Sequence, residues 1–518
     1  MNRACAEHRW AWLPVVAAAL AFASGLGGGF VLDDVPAILD NPVVTGDVDA
    51  SEAFTRTFWG RPLDVPPPSY RPIASLSFRL DHALFGPSAV AFHVVSLLVY
   101  LALVVAAYRL ARLYFRPPIS AVAIALWAVM PLHVENVASL VGRADTLAVL
   151  AGTLGLVLVL VASRASVRPR RAVACGLLSL ASLAVAVLSK ESALTWAPAA
   201  ALLLLWPTAT EPATSRSRAR GLAAGGLLLA VTYWFVRQTL LPDPFDASYV
   251  EDDILAGATP AERAWFALDV LGHYGRLVFA PGDLCTGRKY AVVARSDGLT
   301  TDIVIGLAGL AAALVDTGRA WRQRRPPWLA CALVTYSVVS NVVFSLPEAM
   351  ADRFLLGPTL FLALAGAQLA SRVSIRPYVR VIAGIVLAAQ IAASAGYATR
   401  WRDTASLLEH GVIACPNSAH NRFRFAHHLA RRGLVDEAIW NFAVAAQIRT
   451  HFPQPVDLPF AQWETSLGPD ERVRRMHRLF AVEMPEDAWR AAFAELMAKQ
   501  GLPALAVRLR TIRSRPDG

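Results

Sequence analysis

Hydrophobic residues in this 518-residue chain fall into runs of 15 to 21 positions, and the segments between them hold most of the charged residues. An apolar helix of about 20 residues can cross the hydrocarbon core of a bilayer. We therefore predict about eleven membrane-spanning helices, at residues 11–29, 90–108, 119–133, 144–163, 172–189, 193–207, 219–239, 300–318, 328–346, 353–371 and 381–399. The more amphipathic stretch 264–279 is interpreted as an interfacial segment.

This pattern divides the chain into two domains and predicts an all-α fold. Residues 1–400 are a polytopic transmembrane helical domain whose two long loops are residues 30–89 and 240–299. Residues 401–518 have a soluble composition and are predicted to form a small domain of helical hairpins.

Composition supports a membrane protein and argues against nucleic-acid binding. Hydrophobic residues make up 55% of the chain and charged residues only 17%, which is too apolar for an ordinary soluble domain. The net charge of +10 arises largely from arginines in short loops, with no basic stretch interleaved with aromatics. The five cysteines are scattered, so the spacing predicts neither a disulfide framework nor a metal site.

Arginines predict the orientation of the spans. Arg3 and Arg9 precede the first run, and a basic cluster follows every even-numbered run. Such clusters mark the cytoplasmic side. The two long loops and everything after residue 400 are therefore expected on the non-cytoplasmic face of a bacterial-type inner membrane. Alternatively, Arg3, Arg9 and the Ala-Phe-Ala sequence at 21–23 mark a cleavable signal peptide.

Asp33 and Asp34 directly follow the first apolar run, at the rim of a predicted span. Carboxylates near hydrocarbon are costly and usually functional. Because adjacent carboxylates resist joint ionisation, one can act as a general base while the other orients a donor or a metal ion. The structural alternative is an N-cap for a helix that begins near Pro36. We favour a catalytic role for the pair, with either residue as the base.

Other ionisable residues cluster at span ends. His133, Glu135, Arg143 and Asp145 lie where the third run gives way to the fourth. One explanation is a hairpin of interfacial charges that pair with each other. The other is a ligand site at the membrane rim.

Two further span ends carry cations beside carboxylates. Lys190 and Glu191 join the fifth and sixth runs with almost no loop, and Asp352 and Arg353 lie at the start of the tenth. A buried ion pair would account for Lys190. At a membrane rim, however, lysine can hold an anionic phosphate as a compact charge, and arginine can do so through two parallel hydrogen bonds.

These residues, in this order, resemble the TMTC-like membrane mannosyltransferases of the GT-C glycosyltransferase superfamily. The matching motifs run through most of the chain: VLDD at 31–34, SYRP at 69–72, LFG at 84–86, PLHVE at 131–135, VGRAD at 141–145, SKE at 189–191, SN at 340–341 and DRFL at 352–355. No single motif is specific, but the ordered set is.

The resemblance implies an inverting transfer of a sugar from a polyprenyl-phosphate donor to an acceptor hydroxyl on the non-cytoplasmic face. Mannose is the sugar that the family favours. It implies that Asp33 and Asp34 are catalytic. It also implies a donor site lined by Arg71, His133, Glu135, Arg143, Asp145, Lys190, Glu191, Asp352 and Arg353. Among these, Lys190, Arg143 and Arg353 are candidates to stabilise charge on the departing phosphate.

The region after residue 400 is similar to a tetratricopeptide (TPR) repeat. Residues 415–439 resemble one repeat, and 487–506 a second, degenerate hairpin. Because a repeat array needs three or more units for stability, we expect these hairpins to pack on the membrane domain or on each other.

Two other functions fit a polytopic protein. One is a transporter or flippase of lipid-linked sugars, for which internal repeats and broken spans are expected, and none is evident. The other is a non-catalytic scaffold that presents the TPR-like hairpins. The acceptor stays open among an exported protein, a lipid and a glycan. The aspartate pair could bind a divalent cation, but no complete ligand set lies nearby in the sequence.

Overall fold

The computed structural model describes residues 3–65, 69–206, 216–241, 258–282, 284–288, 298–342, 348–372 and 377–451, with isolated residues 255, 346, 494, 495, 498, 503, 506 and 507. Within these ranges the chain is helical and forms no β-strand, which confirms the all-α fold class. The helices in chain order are α1 (Arg3–Phe22), α2 (Pro42–Thr45), α3 (Pro72–Phe85), α4 (Ala89–Arg112), α5 (Pro117–Ala128), α6 (Val134–Ala138), α7 (Arg143–Ser163), α8 (Pro169–Ser189), α9 (Trp196–Leu205), α10 (Arg216–Leu240), α11 (Pro260–Phe279), α12 (Thr301–Gln323), α13 (Trp328–Tyr336), α14 (Leu356–Ala370), α15 (Pro377–Ala398), α16 (Thr404–Ala414), α17 (Ala419–Arg431) and α18 (Val435–His451).

Each of the eleven apolar runs contains a helix or part of one among its described residues. In the described part of the chain, seven helical segments are long and apolar enough to cross a membrane, and α5 forms an eighth with Pro131–Ala138 across a bend of 58°. Three shorter apolar segments complete the set, at Trp10–Gly25, Glu191–Leu205 and Trp328–Val339. A membrane protein is therefore confirmed, whereas the count of eleven spans stays a prediction.

The apolar faces of these helices bury a single large core to which α1, α4, α5, α7 and α14 all contribute. Glycines permit α11 and α12 to cross at close range. A Cβ atom on Gly272 of α11 would lie 1.6 Å from the Asp302 carbonyl oxygen, and one on Gly306 of α12 would lie 2.2 Å from the Leu268 carbonyl oxygen. The segment 264–279, expected to be interfacial, thus packs directly on α12 as part of α11.

The first long loop has a small core of its own, separate from the membrane core. Phe58 packs against Phe78 of α3, which stacks on Phe92 of α4 with ring centroids 6.1 Å apart. Arg79 of α3 donates hydrogen bonds to the carbonyl oxygens of Val43 and Val48, at 2.8 and 2.7 Å. These contacts fix the loop that carries the aspartate pair.

The C-terminal helices dock on the second long loop. The Ser418 hydroxyl, which caps α17, donates to the Gly287 carbonyl oxygen at 2.6 Å, and the Asn421 amide donates to that of Thr286 at 2.8 Å. Packing on the membrane domain was the expectation for this region. Helices α17 and α18 share a core of their own, and their identity as a TPR repeat stays a prediction. Most of the second hairpin, 487–506, lies outside the described residues.

Cys285 and Cys415 form a disulfide across 130 positions of sequence, with Cα atoms 6.3 Å apart. The scattered cysteine spacing did not predict this disulfide. The pairing leaves no trace in local spacing, because only the docking of α16 and α17 on the loop brings the two residues together.

Candidate functional site

Asp34 lies in the first long loop, directly before the helical turn Val35–Leu39, and its side chain is completely buried. Its Oδ2 atom accepts a hydrogen bond from the Val31 amide and its Oδ1 atom accepts one from the Val141 amide, both at 3.0 Å. The carboxylate does not cap the helical turn Val35–Leu39 that follows it, which argues against the N-cap interpretation. Asp34 instead ties the first loop to the backbone just before α7.

Burial dominates the chemistry of Asp34. Loss of hydration raises the pKa of its carboxyl group from the ordinary 3.8 to about 7, and the nearby charge of Asp33 acts in the same direction. The amides of Val31 and Val141 favour the charged form and oppose this rise. Asp34 therefore gains or loses a proton near neutral pH.

Asp33 has the opposite environment, although it is the adjacent residue. About half of its side chain (48%) is exposed, and Oδ1 lies 3.6 Å from the nearest guanidinium nitrogen of Arg424. Arg424 belongs to α17, so the C-terminal region reaches the aspartate pair. Of the two carboxylates, Asp33 is exposed to solvent and Asp34 is not.

Arg71, at the start of α3, forms a two-pronged ion pair with Glu191. Its Nε and Nη2 atoms donate to the two carboxylate oxygens at 3.3 and 3.0 Å. The guanidinium carbon also lies 5.2 Å from the ring centre of Phe58, which connects this pair to the first loop.

Two further ion pairs lie beside the first. Lys190 donates to both carboxylate oxygens of Asp145, at 2.6 and 2.5 Å, and both residues are buried. Arg353 pairs with Glu135 and Glu348, and its backbone amide donates to Glu135 at 3.1 Å. The ring of Phe354 lies against both Lys190 and Arg353.

We call these seven residues the ionic layer: Arg71, Glu135, Asp145, Lys190, Glu191, Glu348 and Arg353. These ion pairs also interact with one another electrostatically. The charge of Arg353 interacts with those of Asp145 and Asp33, and the charge of Lys190 interacts with those of Arg71 and Arg353. The charges at the junction of the third and fourth runs thus pair with other parts of the chain, not with each other. Six of the nine predicted donor-site residues come together here.

Arg143 lies apart from the ionic layer in a completely buried ion pair with Asp81 of α3. Its other nitrogens donate to the Ser96 hydroxyl at 2.9 Å and the Phe92 carbonyl oxygen at 2.7 Å. The rings of Phe78 and Phe92 lie against its guanidinium group. Every contact of Arg143 named here holds α3, α4 and α7 together.

His133 and Asp352 also make their contacts elsewhere. The imidazole of His133 is within hydrogen-bond distance of the Tyr100 and Thr359 hydroxyls, at 3.0 and 3.1 Å, inside the apolar core. Asp352 pairs with Arg288 at 3.2 Å, and both side chains are buried. Arg288 follows the disulfide residue Cys285 by three positions, so this pair secures the second loop.

Sequence reasoning missed three residues of these networks: Asp81, Arg288 and Arg424. Asp81 lies in the polar first loop, close to Arg79 and His82, so its sequence context gives no signal. Arg288 and Arg424 lie in polar segments where arginine is unremarkable, and only the tertiary fold gives them partners.

Two carboxylates alone do not complete the coordination shell of a divalent cation. Each oxygen of Asp34 also accepts one backbone amide hydrogen bond. Throughout the described ranges, no three His, Cys, Asp or Glu side chains form a group that could hold a metal ion.

Comparison with known proteins identifies related sequences. Residues 64–235 match the family described as dolichyl-phosphate-mannose-protein mannosyltransferase. Protein O-mannosyl-transferase F38B6.6 of Caenorhabditis elegans is 24% identical over 454 residues, which are 84% of this chain and 62% of that protein. Protein O-mannosyl-transferase Tmtc2 of Drosophila melanogaster is 38% identical over 176 residues, 33% of this chain and 19% of that protein.

The chain thus spans less than two thirds of the length of these relatives. Among solved structures, ArnT from Cupriavidus metallidurans aligns with a TM-score of 0.41 and 14% identity, over 86% of this chain and 73% of that one. The resemblance to TMTC-like transferases is confirmed by the sequence matches.

Proposed function

Because this chain resembles the TMTC-type protein O-mannosyl-transferases, we propose that it is an integral-membrane inverting glycosyltransferase. It moves mannose from a polyprenyl-phosphate donor to an acceptor hydroxyl on the non-cytoplasmic face. An exported protein is the first acceptor to test, because the relatives are named protein O-mannosyl-transferases.

The observation that carries the proposal is the unequal environment of the aspartate pair. A general base must reach the proton that it removes. Asp33 is half exposed, whereas both oxygens of Asp34 are buried against backbone amides. We therefore assign the base to Asp33, and to Asp34 the role of positioning it.

In the proposed step, an acceptor hydroxyl oxygen attacks the anomeric carbon of the donor sugar while Asp33 takes the hydroxyl proton. The bond between that carbon and the donor phosphate oxygen breaks, and the polyprenyl phosphate leaves with the electron pair. Within the ionic layer, the charge of Arg353 interacts with that of Asp33, and Lys190 interacts in turn with Arg353. We assign Arg353 and Lys190 to stabilising the developing phosphate anion.

The disulfide supports the assignment to the non-cytoplasmic face. Disulfides persist in oxidising compartments and are rare in the cytosol. Cys285 and Cys415 lie in the second long loop and the C-terminal region, which the arginine pattern places outside. Two independent features thus favour the same side.

The test replaces the proposed base with its neutral isostere, Asp33→Asn. Purified protein in liposomes receives a radiolabelled mannosyl-phosphate polyprenol and exported proteins from cells that lack the gene, and label incorporated into protein is measured. Loss of a general base lowers kcat by about 10²- to 10⁴-fold. Asp40→Asn is the matched control, because Asp40 is an exposed carboxylate of the same loop.

Wild-type protein and D40N should transfer label at equal rates, and D33N should not exceed about a hundredth of that rate. A folded D33N protein that transfers mannose at a rate within tenfold of wild type would exclude Asp33 as the base. Movement of labelled donor lipid across the bilayer without any labelled protein would favour the flippase alternative instead.

A further inference from the structure

Two buried polar side chains at the end of α10 have no hydrogen-bond partner among the described residues: the Arg237 guanidinium, through its Nε atom, and the Tyr233 hydroxyl. Their residues are only 9% and 8% exposed. The two positions are four apart in a helix, so both side chains lie on one face of α10. That face is turned into the protein, whereas Leu228 and Phe235 of the same helix are about two thirds exposed (67% and 65%).

A buried guanidinium without a direct hydrogen-bond partner lowers stability, because the group has lost its hydration and gained no bond in exchange. The cations of the ionic layer all avoid this cost. Arg71, Lys190 and Arg353 each bind a carboxylate directly. In the part of the chain that the structure describes, Arg237 differs from these three cations, because no carboxylate binds it directly. A bound ligand would supply the missing partner.

The surroundings of Arg237 favour an anion as that ligand. The charge of Arg237 interacts with the carboxylate of Glu191. The Tyr233 hydroxyl is close enough to interact with the charges of both Glu191 and Arg237. Both oxygens of Glu191, however, are already bonded to Arg71. Two guanidinium groups therefore face one carboxylate, and an unpaired tyrosine hydroxyl offers a further donor.

We propose that Arg237 and Tyr233 bind the phosphate group of a lipid-linked phosphate, at the end of α10 next to the Arg71–Glu191 pair. The naming of that lipid as the polyprenyl-phosphate donor rests on the proposed function. Arg237 precedes the last residue of α10, Leu240, by three positions, so its charge lies at a membrane rim where a lipid phosphate is found. The exposed apolar face of α10 borders the same rim and suits the lipid chain.

A sequence signal agrees with this site. Arg237 lies inside the apolar run 219–239, at the end opposite to the cytoplasmic cluster Arg216, Arg218 and Arg220. Positively charged residues are depleted at that end of a span. A buried arginine at that end of a span is costly, and such residues are usually functional.

The test compares wild type, R237Q, R237K and Y233F as full-length purified protein in detergent. Four probes are titrated: a short-chain polyprenyl phosphate, the corresponding alcohol, inorganic phosphate and phosphatidylglycerol. The dissociation constant is measured by a shift in intrinsic tryptophan fluorescence or in thermal unfolding. R220Q is the matched control, because Arg220 is an exposed arginine at the other end of α10.

R237Q should weaken binding of the polyprenyl phosphate by about tenfold or more, since a hydrogen bond to a charged group is lost. R237K should restore part of the affinity, Y233F should cause a smaller loss, and R220Q should match wild type. Without a ligand, R237Q should unfold at the same or a higher temperature than wild type. A purely structural arginine would instead give a less stable R237Q protein with unchanged affinity, and that result overturns the proposal.

The probes separate the sources of the phosphate. Weak binding of the alcohol and of inorganic phosphate supports a lipid-linked phosphate, whereas equal protection by inorganic phosphate or phosphatidylglycerol overturns the assignment to the polyprenyl donor. Failure of this site is distinct from failure of the proposed function. If R237Q binds the polyprenyl phosphate as wild type does while D33N abolishes transfer, only the proposed binding site is refuted. If Arg237 is required for binding but the wild-type protein transfers no sugar, only the proposed transferase function is refuted.

Discussion

Replacing Asp34 with asparagine removes a titrating group from a completely buried position and should change how stability depends on pH. Burial raises the pKa of Asp34 to about 7 in the folded protein, from an ordinary value of 3.8. Between these two values, the folded protein keeps the proton while the unfolded chain has lost it. The stability that protonated Asp34 provides is therefore fully present below pH about 4 and is lost as pH rises to about 7.

The size of this effect follows from the two pKa values. Each pH unit between them costs about 1.4 kcal/mol, so the difference between 3.8 and about 7 corresponds to about 4 kcal/mol. The side chain is not exposed at all, so solvent does not screen the effect. Between pH 5 and pH 7 alone, wild type should lose about 3 kcal/mol that D34N does not lose.

The assay is unfolding of both proteins in detergent at half-unit steps from pH 5 to 8, followed by tryptophan fluorescence. Asparagine can accept an amide hydrogen bond through only one atom, which lowers the stability of D34N by about 1 kcal/mol at every pH. The informative quantity is the difference between the two curves. The proposed effect of burial on the Asp34 pKa would be refuted if the difference in free energy of unfolding between wild type and D34N did not vary with pH. It would also be refuted if wild type became more stable relative to D34N toward pH 8.

Two further predictions concern the partners that hold the loops in place. Arg143→Met should destabilise the protein by about 3–5 kcal/mol because Asp81 is left buried without its cation, and adding Asp81→Leu should recover most of the loss; equal unfolding of the single and double variants would contradict this. Replacing Cys285 and Cys415 together by serine should lower the free energy of unfolding by about 2–5 kcal/mol, with the unpaired Cys175→Ser as the control. Thermal unfolding in detergent measures both, and an unchanged midpoint in the double cysteine variant would show that the disulfide does not stabilise the fold.

Much of the helical framework can be predicted from hydrophobicity, because an apolar run of the right length has few alternatives in a bilayer. The location of several charged site residues can be predicted for a related reason. Lys190 and Arg353 lie at the ends of apolar runs, where a charge near hydrocarbon requires a partner or a ligand. The sequence therefore predicts that these cations lie at the ends of the apolar helices, where the structure has the ionic layer.

The partners within that level could not be predicted. Arg71 binds Glu191 across 120 positions, and Arg353 binds Glu135 across 218. Each cation has several carboxylates of equal chemistry to choose from, and helix packing decides among them. The disulfide is hidden for the same reason, since its residues carry no local signal of proximity.

The difference between Asp33 and Asp34 also comes from the backbone, and it explains why the two residues look equivalent in sequence. Leu32 directly before them has φ of 47°, a left-handed conformation that costs a residue with a side chain about 1–2 kcal/mol. Such strain persists only where surrounding contacts determine the backbone. Here the bonds from the Val31 and Val141 amides to Asp34 supply those contacts. They hold Asp34 inside the fold and thereby leave Asp33 at the surface. The position of the proposed base, Asp33, is thus set by its neighbour's hydrogen bonds. If Asp33 is the base, a change at Asp34 should lower the rate of transfer by displacing Asp33.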